Sequence, residues 1–306
     1  MALRLVVPDF ISPSYFPAIA AHQLGYLADE GLDVDLSLLF PVTDAARALR
    51  DGDVDFIAGA AHAPMYAFPG WDGACVLAAL SRNMYWFLVM RAGLPVGRGD
   101  LRGVAGLRIG AAPGPDDGLR ALLSEAGLDP AADVDIRPVP GSSAHGTSFG
   151  LAAADALAEG LVDGFWANGM GAEVAVLSGH GTVVYDARRD VAYPQSTLVT
   201  FPALTTRVKL ASERPEVAAG MVRGIRRAQR DLAADPGLAV KVGTAIFPEY
   251  EASLIGTLIA RDAPYYQASV TPEMAEGIAR LGHLTGHAVP AVPDRVVCGE
   301  MSALWD

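Results

Sequence analysis

RALRDGDVDFIAGAA at 47–61 and DALAEGLVDGFWANG at 155–169 are one phrase written twice. Ala48, Leu49, Gly52, Val54 and Asp55 recur as Ala156, Leu157, Gly160, Val162 and Asp163, always 108 positions on. Each copy reads as the end of a helix, a glycine stop and the start of a strand. A repeat at domain-sized spacing predicts two similar α/β lobes, and 306 residues are enough for two.

The segments on either side follow the same plan. Strand-like runs at 3–7, 32–39, 55–59, 76–80 and 86–91 alternate with helical patterns at Pro17–Glu30 and Thr43–Arg50, the second with Thr43 as its N-cap. The pattern restarts at 107–113, continues through strands at 135–140, 162–167 and 182–187 with helices at Asp117–Ala126 and 150–159, and Leu107-Arg108 echoes Leu3-Arg4. A strand is expected at 197–204, and the rest reads as helices near Pro215–Asp235, Pro236–Ile246, Glu249–Arg261 and Thr271–Gly286. Alternating strands and helices imply mostly parallel sheets flanked by helices, here with a C-terminal helical cap.

Composition narrows the function classes. The formal net charge of −12, with Lys209 and Lys241 the only lysines, argues against nucleic acid and anionic membrane surfaces as partners. Cys75 and Cys298 are too few for a disulfide framework and lack metal-ligand spacing, so they read as free thiols. His283 and His287 stand at i and i+4 without a third ligand, so no metal is expected. There is no phosphate loop, dinucleotide fingerprint or nucleophile elbow, and no cofactor is expected. No run of about 18 apolar residues is present to insert into a membrane. The opening MALRLVVPDF leaves no room for a signal peptide, which implies a cytoplasmic protein; a periplasmic protein whose leader had been removed would read the same way.

The strand followed by PDFISPSYFPAIAAHQLGYLADEGLDVDL, with ALRDGDVDFIAGAA and ALAEGLVDGFWANG, resembles the type II periplasmic solute-binding proteins of the nitrate, sulfonate and taurine group. That group includes the thiamine-pyrimidine-synthase-like (NMT1-like) proteins, and the similarity runs from about residue 3 to 290. The resemblance implies a two-lobe clamp with crossovers near 84–91 and 193–200 and a ligand held between the lobes. It also implies an ABC permease and ATPase as partners. The division that follows is 1–85 with 198–306 as lobe 1 and 86–197 as lobe 2. Two enzyme precedents of similar fold do not transfer. The yeast pyrimidine synthases use a lysine imine and a cysteine-rich iron motif, and the sulfinate desulfinases a cysteine in the loop after the first strand, where this chain has Ser12 and Ser14.

Ligands of open α/β sheets gather beyond the carboxyl ends of strands. The loop after the first strand offers Asp9, Phe10, Ser12 and Tyr15, and the one after the third offers His62. Arg82 and Asn83 lead into the first crossover, where Arg82 is a possible partner for a carboxylate or sulfonate and equally a surface charge. In the second lobe, Ser142, Ser143 and His145 form a hydroxyl-rich anion cradle, and Phe165, Trp166 and Asn168 end the repeated phrase opposite His62. Asp116 and Asp117 at a helix start read as caps. The expected function is binding of a small planar organic molecule or anion. The alternative is a cytoplasmic decarboxylase or lyase on the same fold, with His62 or His145 moving the proton.

Overall fold

The computed structural model describes residues 2–142, 148–288 and 296–305. Among the described residues, ten strands form two five-stranded sheets of matching design. In the first, β1 (Leu3–Val7) lies between β2 (Val34–Leu38) and β3 (Phe56–Ala60), parallel to both; β10 (Pro202–Arg207) then runs antiparallel between β3 and β4 (Ala74–Ala79). In the second, β6 (Arg108–Ala111) lies parallel between β7 (Asp135–Arg137) and β8 (Gly164–Ala167), and β5 (Phe87–Arg91) runs antiparallel between β8 and β9 (Gly181–Asp186). The chain therefore changes sheets twice, once between β4 and β5 and once between β9 and β10.

The repeated phrase has a mechanical meaning. Gly52 and Gly160 adopt φ of 84° and 72°, the left-handed conformation that ends a helix at no Cβ cost, and each turns the chain into β3 or β8. The following aspartate then clamps the first strand of its own lobe. Asp55 accepts from the Arg4 amide and Nε at 2.9 and 3.4 Å, while Arg4 donates to the Gly52 carbonyl at 2.6 Å. Asp163 likewise accepts from the Arg108 amide, Nε and guanidinium at 3.1, 2.9 and 2.9 Å, and Arg108 reaches the Gly160 carbonyl at 3.1 Å. The Arg108 bonds hold the Asp163 carboxyl down at about 2. Asp163→Ala is expected to cost about 1–2 kcal/mol, because charge-assisted bonds are lost while the half-exposed Arg108 regains water. Urea unfolding measures this; an unchanged midpoint would mean that the clamp is ornamental.

Elsewhere the local expectations need correction. The first helix is two, α1 (Phe16–Gln23) and α2 (Tyr26–Asp29), because Gly25 at φ 80° breaks it. α3 (Val42–Asp51) is entered at Pro41 rather than capped by Thr43. The strand expected at 197–204 begins only at Pro202, since residues 194–197 make a helical turn opened by Pro194. β7 stops at Arg137, ahead of Pro138.

Helices α4 (Pro115–Glu125), α5 (Phe149–Ala158) and α6 (Gly169–Leu177) serve the second sheet; α7 is the turn Pro194–Thr197. The helical cap is α8 (Val208–Glu213), α9 (Pro215–Ala234), α10 (Gly237–Ile246), α11 (Glu249–Asp262) and α12 (Pro272–Thr285). Val217, Met221, Ile225 and Leu232 bury one stripe of α9, at the spacing of a helix face. Gly224 lets α9 approach α2, where a Cβ would meet Leu27 at 2.6 Å. No described helix is long and apolar enough to cross a membrane. The Cys298 amide donates to the Val76 carbonyl at 2.9 Å, which brings Cys298 beside Cys75; both remain free thiols.

Candidate functional site

The carboxyl ends of β1 and β3 face those of β6 and β8, and the loops beyond them meet. An inner cavity of about 30 Å³ lies at the junction. Tyr15, Phe40, Trp86, Phe149 and Trp166 supply its rings, with Asp9 and Asn168 as its polar side chains. An outer cavity of about 490 Å³ opens on the other side of Asp9, lined by Phe10, Leu38, Phe247 and Ser148 among others. A third, of about 290 Å³, lies beyond Gly114 and is lined by Tyr66, Asp116, Asp117, Arg120, Arg137 and His287.

Asp9 stands between the first two cavities. The loop after β1 turns back on itself through the bond from the Ile11 amide to the Asp9 carboxylate, at 2.9 Å, which aims the second carboxylate oxygen across the junction. There Ser148 Oγ donates at 2.8 Å and Asn168 Nδ2 at 3.0 Å. Ser148 and Asn168 are the N-cap residues of α5 and α6, and Asn168 Oδ1 also accepts from the Met170 and Gly171 amides. A carboxylate from the first lobe thus occupies the place a helix N-terminus offers an anion. Burial pushes the Asp9 carboxyl up against these bonds, which pull it down.

His62 makes a second tie. Fully buried, it faces Thr200 Oγ1 at 2.7 Å through Nδ1 and the Gly114 carbonyl at 3.2 Å through Nε2. A carbonyl only accepts, so Nε2 carries a proton; in the neutral ring that burial favours, Nδ1 accepts from the threonine hydroxyl and both nitrogens are engaged. Burial pushes its pKa down to about 4. The Tyr66 hydroxyl adds a bond to Asp117 at 2.6 Å. Burial raises both Asp116 and Asp117, and Asp116 is raised further by Asp117.

Trp86, at the first crossover, lies between the two sides. Its ring is 6.2 Å from His62, 6.0 Å from Trp166 and 4.3 Å from Tyr85, whose hydroxyl meets that of Tyr15 at 2.9 Å. Trp166 is fully buried and donates Nε1 to the Pro115 carbonyl at 3.1 Å.

Of the residues singled out from sequence, Asp9, Tyr15, Trp166 and Asn168 meet around the inner cavity, and Phe10 lines the outer one. His62 lies behind Trp86 rather than in the lining. Phe165 packs into the second lobe's own core, because neighbouring strand residues point to opposite faces. Ser12 Oγ accepts from the Ser14 amide, and Ser142 Oγ donates to the Val139 carbonyl. Arg82 is exposed and lies over the Tyr265 ring; Asn83, at φ 67°, donates to the Arg188 carbonyl. Both thus belong to the crossover rather than the cavity. Ser143 and His145 lie outside the described residues. Among the described residues no group of three His, Cys, Asp or Glu is placed to hold a metal. Sequence reasoning missed Phe40, Trp86 and Phe149 as lining. A tryptophan beside a predicted crossover was the one available signal.

The family model described as NMT1/THI5 like matches residues 12–239. No curated protein matches the chain. Solved structures with the same fold include a protein of Bordetella bronchiseptica RB50, at 19% identity and TM-score 0.78, covering 99% of this chain and 96% of that one. The periplasmic aliphatic sulphonate-binding protein SsuA of Escherichia coli is similar at 15% identity and TM-score 0.72, covering 96% and 97%. The periplasmic nitrate-binding protein NrtA of Synechocystis PCC 6803 is similar at 13% identity and TM-score 0.72, covering 99% and 87%.

Proposed function

The chain belongs to the NMT1/THI5-like family, and we propose that it is a solute-binding protein that closes two lobes on a small planar organic molecule. The observation carrying this is the inner cavity: rings from both lobes converge there, at the carboxyl ends of both sheets. We take residues 1–85 with 198–306 as one lobe and 86–197 as the other, a division that the sheet membership of β5 and β10 supports. At about 30 Å³ the inner cavity holds a water-sized group and not a ring, so entry requires the lobes to part. The bonds that Asp9, His62 and Tyr66 make across the division are among those that break. Delivery to an ABC permease and ATPase, from the periplasm if the protein is exported, follows by analogy with the sulphonate- and nitrate-binding neighbours.

The engaged, neutral His62 gives no support to proton-transfer catalysis. Native mass spectrometry of freshly purified protein tests the binding reading. A small molecule that leaves on denaturation and is chemically unchanged after incubation is expected; one converted during incubation would replace binding with catalysis.

A further inference from the structure

We infer that the site selects a planar organic cation and rejects anions, with Asp9 as the residue that decides. This deepens the solute-binding reading and rests on it.

Among the described residues, Asp9 is the only charged side chain lining either the inner or the outer cavity. No arginine, lysine or histidine among the described residues lines them to neutralise an anion. The Ile11 amide and the Asn168 side-chain amide can only donate to Asp9, so the groups around it are arranged for a carboxylate. That carboxylate is 4% exposed, where charge interactions are screened little. Asn168 caps α6 with its own side chain, and Asp9 itself takes the place of an anion at the start of α5, where the Ser148 hydroxyl and the Gly150 backbone bond to it.

The rings complete the argument. Trp86 and Trp166 offer π-faces, which attract a desolvated cation and add nothing for an anion. A flat ring bearing positive charge, such as a protonated heteroaromatic amine or an amidinium, gains stacking area, ring quadrupoles and the Asp9 carboxylate together. A neutral ring gains only the first, and an anionic ring meets Asp9 with no cationic side chain among the described lining residues. On this reading the chain takes a ligand of opposite sign to those named for the sulphonate- and nitrate-binding neighbours.

Benzamidinium, benzamide and benzoate share one flat skeleton with charges of plus one, zero and minus one. Titration calorimetry at pH 7.5 in about 0.1 M salt, where only short-range charge effects survive, is expected to rank them in that order. Benzamidinium should bind roughly tenfold or more tighter than benzamide, and benzoate more weakly than either. In Asp9→Asn, folded as judged by circular dichroism, the cation-to-neutral ratio should shrink to within about twofold. Equal binding of benzamide and benzamidinium, preference for benzoate, or an unchanged ratio in Asp9→Asn would overturn the charge inference and leave the cleft standing. Failure of all three probes to bind would overturn the cleft reading with it.

Discussion

Trp166→Ala is expected to lower the stability of the fold by about 3–5 kcal/mol and to weaken binding of a flat ligand by roughly tenfold or more. The stability loss follows from position. Trp166 is fully buried against Trp86, and truncation leaves a void that its neighbours, held by β5 and β8, can close only in part. It also leaves the Pro115 carbonyl without its 3.1 Å donor. The binding loss follows from chemistry, because the indole supplies one of the rings around the inner cavity. Trp166→Phe separates the two effects, since it keeps a ring and drops the N–H. Urea unfolding and calorimetry on each variant measure them. A Trp166→Ala protein that bound a flat ligand as tightly as the parent would remove this residue from the site.

Acidification from pH 7 to pH 4 is expected to cost the native protein about 3 kcal/mol that His62→Gln does not lose. In the unfolded chain His62 takes up a proton near 6.5; in the folded chain burial delays this to about 4. Between those values the unfolded chain holds more protons, so the contribution is complete above 6.5 and is lost as pH falls toward 4. Asp116 and His287 are the charges that act on His62 from outside its own loop. Asp116 and Asp117, raised by burial, act with the opposite sign and are common to both proteins, so the difference between the two curves isolates the histidine. Glutamine keeps a donor for the Gly114 carbonyl but cannot titrate. Unfolding free energies at half-unit pH steps give the comparison, and parallel curves would show that His62 is not buried in the neutral form.

The doubled lobe was legible in the sequence because its signals are local. A helix that stops at glycine and turns into a strand depends on a few neighbouring φ and ψ values, so Gly52 and Gly160 announce the same turn wherever the rest of the chain goes. The C-terminal helices were legible for the same reason, through stripes such as that of α9. The strand-end rule likewise pointed to the loops of Asp9, Tyr15, Trp166 and Asn168.

What those residues do was decided by contacts that no local pattern encodes. Asp55 and Asp163 clamp arginines 51 and 55 positions away, which turns a repeated phrase into a repeated joint. β5 and β10 enter each other's halves of the chain antiparallel, and their neighbours in each sheet are set by long-range pairing. Phe165 and Trp166 are adjacent in one strand, yet only the packing of the sheet sends the first to the core and the second to the cavity. Asp9 could be read as a loop residue near a helix. Its partners, Ser148 and Asn168, lie 139 and 159 positions on, and only the meeting of the two sheets' loops buries this carboxyl group between them.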